Sequence, residues 1–309
     1  MPYRIEPGRD LANEVRAVAT GQFEDAIEAL EKRPEGLHEA IHEARKKFKR
    51  LRNLYRLIGS SAKTFRRSEN QRLRDCARTL SRVRDATALI ETVAHLSAHA
   101  ITDDEAQTLA TVREVLERRR DEIAATETDL EGKVAAVIAE CRKGIDTLGK
   151  LKLPSKQGHG GQLLAKGWRQ GLERAREALE ACKGDGHGEA YHDLRKAAQA
   201  YWMNLSLMQP LWPSAFAAKR DAAKRLVDLL GHEHDLTILA GLFDEEAEIF
   251  GDGQGQSFLL AIIIRHQQEL RRQALTLAGK VFADHPRREA QIIACLWAEA
   301  KAAGRDGRN

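Results

Sequence analysis

Two histidines stand at the head of one repeated pattern. His42-Glu43-Ala44-Arg45-Lys46 returns as His192-Asp193-Leu194-Arg195-Lys196, and forty-three residues after each histidine comes an aspartate, Asp85 or Asp235. These residue types suit an anion. Imidazole and guanidinium donate hydrogen bonds, lysine adds a mobile point charge, and the planar fork of arginine matches two phosphate oxygens at once. The aspartates lie in Leu80-Ser81-x-x-Arg84-Asp85 and Leu230-Gly231-x-x-His234-Asp235. Their expected work is to orient or neutralise basic side chains, or to cap a helix, ahead of acid–base catalysis. Two motifs sharing one offset indicate an internal duplication.

Three roles are open to the histidines: hydrogen bonding beside a core, contact with an anion, or metal ligation. His38-x3-His42 has the helical spacing of two ligands, and His232-x-His234-Asp235 resembles a metal cluster. The duplication argues against metal. His234 corresponds to Arg84 and His232 to Arg82, so the first copy keeps a cation and a donor but no ligand. No metal and no cofactor is therefore expected. The glycines at 158–161 and 251–255 lack the Lys-Ser/Thr ending of a nucleotide loop, and no nucleophile–base pair stands out.

The elements that must carry these residues read as helices. Leu37, Ile41, Ala44, Phe48, Leu51, Tyr55 and Ile58 make one apolar stripe along a predicted helix over 35–58. A second stripe, His38, His42, Arg45, Lys49, Arg52 and Arg56, runs one residue later, turned by about 100° so that it flanks the core. In the second copy, Tyr191, Leu194, Ala198, Tyr201, Leu205 and Met208 repeat the apolar stripe, but Gln199 and Trp202 replace Lys49 and Arg52. The helix that follows adds Arg67, Arg74, Arg78, Arg82 and Arg84; its counterpart keeps Lys224, His232 and His234 but has Asp228 in place of Arg78. A third helix brings Arg113, Arg119 and Arg120, echoed by Arg265, Arg271 and Arg272.

A charge stripe is ordinarily a solvated face. Between Arg45 and Arg56, however, there are seven basic residues and no acid, so salt bridges within the helix cannot account for them. Their mutual repulsion is a cost that a bound anion offsets. Nucleic acid is disfavoured, because these helices have almost no interleaved aromatics for base stacking.

Composition sets the bounds. The chain has 309 residues, 31% charged and 5% aromatic, with a net charge of only +4 from 50 basic and 46 acidic groups. Affinity for a polyanion must come from clustering, not from overall charge. Cys76, Cys141, Cys182 and Cys295 are far apart, which fits neither a zinc ribbon nor a disulfide framework and points to a reduced compartment. Met1-Pro-Tyr-Arg-Ile-Glu-Pro has no signal-peptide core, and the apolar run Leu259 to Ile264 is too short to span a bilayer. A cytoplasmic protein with no membrane partner is expected. The largest break, Leu153 to Gly161, divides the chain into lobes 1–150 and 151–309, all-α with no strand.

His42-x-x-Arg45-x-x-x-Lys49-Arg50-Leu51-Arg52, followed by Leu80-Ser-x-x-Arg84-Asp85, resembles the CHAD family, the conserved histidine α-helical domain. His192-x-x-Arg195-Lys196 and Leu230-Gly231-x-x-x-Asp235 are similar to its second half. The resemblance implies two pseudo-symmetric antiparallel four-helix bundles with a basic groove or pore between them. It also implies binding of inorganic polyphosphate, association with polyphosphate granules and their proteins, and no catalysis. The family tends to continue with basic residues where this chain has Gln199, Ala200 and Trp202, so the first lobe is expected to dominate. The expected contacts are His38, His42, Arg45, Lys46, Lys49, Arg50, Arg52, Arg74, Arg78, Arg82, Arg84, Arg113, Arg120, His192, Arg195, Lys196, Lys224, His234, Arg265 and Arg272. Two other classes compete: a metal-dependent phosphohydrolase using His234-Asp235, and a helical scaffold for acidic protein or nucleic acid.

Overall fold

The computed structural model describes residues 3–154, 159–184, 188–250 and 253–306, with the side chains of Arg82, Val83, Gly253, Gln254, Lys301 and 303–306 left out of the description. Most of the predicted joint around residues 155–158, and parts of the glycine-rich breaks at 184–186 and 251–255, lie outside the described residues. Among the described residues there are eleven α-helices and no strand. The first half of the chain supplies α1 (Leu11–Lys32), α2 (Leu37–Leu57), α3 (Lys63–Thr79), α4 (Arg82–Ser97), α5 (Asp103–Thr126) and α6 (Leu130–Thr147). The second supplies α7 (His159–Lys183), α8 (Gly188–Leu207), α9 (Pro213–Glu245), α10 (Gly253–Val281) and α11 (Pro286–Asp306). No helix among the described residues is long and apolar enough to cross a membrane, and the four cysteines are unpaired.

The apolar stripes are where the periodicity puts them. Ile41, Ala44, Phe48, Leu51, Tyr55 and Ile58 are buried, and so are Tyr191, Leu194, Ala198, Tyr201, Leu205 and Met208. Helix α2 can begin where it does because Gly36 has a φ of 89°, a conformation open to glycine and strained for a side chain. At the start of α5 the Thr102 hydroxyl accepts from the Glu105 N–H at 3.2 Å, and the Glu105 carboxylate accepts from the Ile101 N–H at 3.0 Å. The hydroxyl bond is the capping that Thr-x-x-Glu suggests, while the carboxylate reaches the residue before the cap instead of the cap's own N–H.

Two apolar cores result, and both draw on both halves of the chain. The larger joins α1, α2, α3 and α6 to α7, α8 and α11, with the first part of α9 and the last part of α10. The smaller joins Val93 and Leu96 of α4 and Leu109 and Leu116 of α5 to Leu239 of α9 and Ile263 of α10. Helix α9 serves both cores without a break. Its counterpart does not: the single helix expected to carry Arg67 through Arg84 is two helices, parted at Leu80-Ser81. There the backbone tightens, with the Ser81 N–H bonded to the Arg78 carbonyl, and the Ser81 carbonyl then opens α4 by accepting from Asp85. The break lets α3 pack in one core and α4 in the other.

The two halves meet where α2 lies against α7 and α8. Asn53 Nδ2 donates to Asn204 Oδ1 at 2.8 Å, and both side chains are buried. A Cβ on Gly167 would stand 1.9 Å from the Leu57 carbonyl oxygen, so only glycine lets α7 approach the end of α2 this closely.

Candidate anion-binding site

The polar stripe of α2 faces α4, α8 and α9 across this junction. Arg84 Nε donates to His42 Nδ1 at 3.1 Å, while Arg84 Nη2 reaches Glu91 at 2.9 Å. Arg45 lies 3.3 Å from Asp85, the first motif's aspartate, which therefore orients and partly neutralises that arginine. From the second copy, His192 stacks on His234 with ring centroids 4.7 Å apart. Lys49 and Arg195 complete the group and have no ion-pair partner among the described residues; Asp235 contributes only a more distant attraction to both.

Three polar atoms in this group are buried without a hydrogen-bond partner: Arg45 Nη1, Arg84 Nη1 and His192 Nδ1. An unsatisfied buried donor costs about 1–3 kcal/mol, and more when charged. Three such atoms within one cationic cluster fit an acceptor-rich anion.

The titrating groups show the same excess of charge. Burial, then Lys46 and Arg84, lower the pKa of His42. Burial, then Lys196 and Arg195, do so for His192. His234 is pulled down to about 4 by burial, then by Arg195 and His192. Lys49 remains open to water but is walled by protein on most sides. That enclosure, followed by the Arg195 and Arg45 charges, brings its ammonium down to about 8. A protein that depresses its own cations in this way raises them again when an anion arrives.

The α2 stripe continues past Lys49 into a cavity of about 1150 Å³. One wall comes from α2 and α3 and carries Arg52, Arg56, Lys63, Arg66, Arg67 and Arg74; Arg174 and Lys196 project from the other side. The acids in the lining are Glu177 and Asp193, and Asp193 is held by Lys196 at 2.9 Å. Arg52 bonds the neutral Asn70 at 2.8 Å, and among the described residues no ion pair holds Arg52, Arg56, Arg66, Arg67, Arg74 or Arg174. The facing wall is made of small residues: Gly167, Gly171, Ala178, Ala181, Ala190, Ala197 and Ala200. Arginines on one side and missing side chains on the other create the space.

Other candidates lie elsewhere. Arg50 turns towards α1, bonding Gln22 at 3.4 Å and covering the Tyr3 ring. Arg78 is exposed beside Asp75, and Lys46 pairs with Glu43. Arg113 pairs with Glu117, Arg120 with Asp121, Lys224 with Asp228, Arg265 with Glu105 and Arg272 with Glu269. Their charge is spent within the protein. His38 is exposed at the start of α2, and the Arg82 side chain lies outside the described residues. His232 and His234 point apart, His232 stacking on His95 instead, so the sequence triplet with Asp235 is not one cluster. The cavity lining adds Arg56, Lys63, Arg66, Arg67 and Arg174 to the expected group, of which Arg56 and Arg67 were already legible in the basic rows of the sequence.

An all-α protein with cations gathered where the two halves of the chain meet defines the class. The chain matches the CHAD domain over residues 21–244 and belongs to that family. No curated protein matches it in sequence. Among solved structures it is similar to PptA from Streptomyces chartreusis, with a TM-score of 0.60 and 15% identity, covering 90% of this chain and 100% of that one. It is also similar to the crystal structure of the CHAD domain from the plant Ricinus communis, with a TM-score of 0.52 and 15% identity, covering 91% of this chain and 94% of that one. At such identity these likenesses speak for the fold.

Proposed function

We propose that this protein binds inorganic polyphosphate in a cleft that runs along α2, from the His42–Arg84–His192 cluster into the arginine-lined cavity. The observation that carries the reading is the continuity of cations from Lys49 through Arg52 and Arg56 to Arg66 and Arg174, none of them ion-paired among the described residues, with the Asp85-bound Arg45 at its head. From Arg45 to Arg56 the helix rises by eleven steps, roughly 16 Å, long enough to follow several phosphates of a chain. Recognition is electrostatic, with guanidinium forks meeting phosphate oxygens in pairs. Membership of the CHAD family supports the same polymer.

Binding proceeds in this account without cleavage, and it brings the protein to polyphosphate granules in the cytoplasm. Purified protein is incubated with polyphosphate of defined length, with and without divalent metal, and both retention and chain length are followed. Retention at constant length is the expected result. Shortening of the chain points to the phosphohydrolase reading, and equal competition by DNA or RNA to the general polyanion scaffold.

A further inference from the structure

Four of the chain's eleven histidines meet outside the α2 stripe, at the edge of the smaller core. His95 lies in the last turn of α4 and His99 in the turn that follows it, His266 comes from α10, and His232 from α9. The His95 and His232 rings stack in parallel at 3.9 Å, and the His99 and His266 centroids are 5.1 Å apart. One ring nitrogen from each of His95, His99 and His266 falls within 4.8 Å of the others. From this geometry we infer that His95, His99 and His266 form a binding site for a divalent first-row transition metal of the zinc class, with His232 beside it as a further imidazole.

Three observations support the assignment. Zinc–nitrogen bonds of roughly 2.0–2.1 Å in a tetrahedron place ligand nitrogens about 3.4 Å apart, a closure that small ring rotations supply. His99 Nδ1 lies 2.8 Å from the His95 carbonyl oxygen; the carbonyl can only accept, so the proton sits on Nδ1 and the Nε2 lone pair is left for a metal. The charged groups nearest His266 are engaged elsewhere, Arg265 with Glu105 and Glu269 with Arg272, while Asp235 lies towards His232. All-imidazole ligation suits zinc, copper, nickel or cobalt over magnesium or calcium, which prefer oxygen. A bound ion would tie α4 of the first half to α10 of the second.

The test uses the full chain, stripped with chelator and free of polyphosphate, titrated with zinc by calorimetry and with cobalt by visible absorption. A single stoichiometric site is expected, with an intense tetrahedral or five-coordinate cobalt band and a rise in Tm with zinc concentration. His99 is exposed, so His99→Gln should fold normally by circular dichroism and lose both the band and the Tm shift. His266→Gln is the second variant. Retained binding in both variants, loss through His42→Ala with both variants intact, or no stoichiometric binding by the natural chain would overturn the assignment.

Discussion

Arg84 Nε donates to His42 Nδ1 at 3.1 Å, whereas His192 Nδ1, at the duplicated position, is buried with no partner. The two histidines are therefore not equivalent. His42 is held as the tautomer with its proton on Nε2, and protonating Nδ1 requires Arg84 to leave. His192 has no such bond to lose. Polyphosphate should raise the depressed pKa of His192 by placing negative charge beside it, with proton uptake near neutral pH and less change at His42. Affinity is then greatest below the free-protein pKa and falls as pH rises through the bound-state pKa. Histidine NMR titrations with and without ligand distinguish the residues; identical behaviour of both would contradict the asymmetry.

Lys49 gives a second pH signal at a higher range. Its ammonium titrates at about 8 in the free protein, and a bound anion should raise it towards the ordinary lysine value. The contribution of Lys49 is thus fully present below about pH 8 and is lost as pH rises through the bound-state pKa. Lys49→Arg should bind with a flatter profile between pH 8 and 10, because a guanidinium does not titrate there. Binding isotherms across that range provide the measurement, and equal slopes for both proteins would exclude Lys49 from the contact.

The two halves should contribute unequally. Removing Arg45, Lys49 and Arg52 together deletes the stripe that leads into the cavity, at roughly 1.5–3 kcal/mol for each charge-assisted bond lost. Removing Arg195 and Lys196 should cost less, since Lys196 is already paired with Asp193 and the later turns of α8 present Ala197 and Ala200 to the cavity. A larger loss from the second pair, with both variants folded by circular dichroism, reverses the assignment.

Affinity should depend steeply on salt. A protein contacting 6–10 DNA phosphates loses roughly 10³–10⁵ in affinity between 50 and 200 mM salt through counterion release, and a polyphosphate is a comparably dense chain. Titrations at four salt concentrations give the slope. A flat dependence would mean that the unpaired arginines do not meet the ligand.

Gly167→Ala tests how the halves are joined. Its Cβ would stand 1.9 Å from the Leu57 carbonyl oxygen, a backbone atom that cannot swing away. A loss of at least about 1–3 kcal/mol is expected in denaturant unfolding, with weaker ligand binding as the cavity wall shifts. Unchanged stability would show that α2 and α7 can separate freely.

Much of this was legible in the sequence because it was periodic. The buried stripe from Ile41 to Ile58 and the basic row beside it follow from helical spacing alone, and the α4–His42 pairing is hinted at by the repeated offset to Asp85 and Asp235. What stayed hidden depended on distant packing. Nothing local marks Leu80-Ser81 as a break when Leu230-Gly231 continues a helix. The cavity needs alanines and glycines of α7 and α8 opposite α3, and small residues carry no chemical signal of their own. The pairing of Arg113 with Glu117 and of Arg272 with Glu269 could have been anticipated from their helical spacing. The pairing of Arg265 with Glu105 required the fold, as did the meeting of His95, His99 and His266.

The central claim is an extended cleft for a phosphate chain, and calorimetry with phosphates of increasing length tests it most directly. At equal molar concentrations, long polyphosphate should bind far more tightly than pyrophosphate, which cannot reach from the His192 cluster to Arg56 and Arg174. Neutralising Arg56 and Arg174 should weaken the long chain much more than the short one. Equal affinity for pyrophosphate and the long chain would contradict the extended cleft.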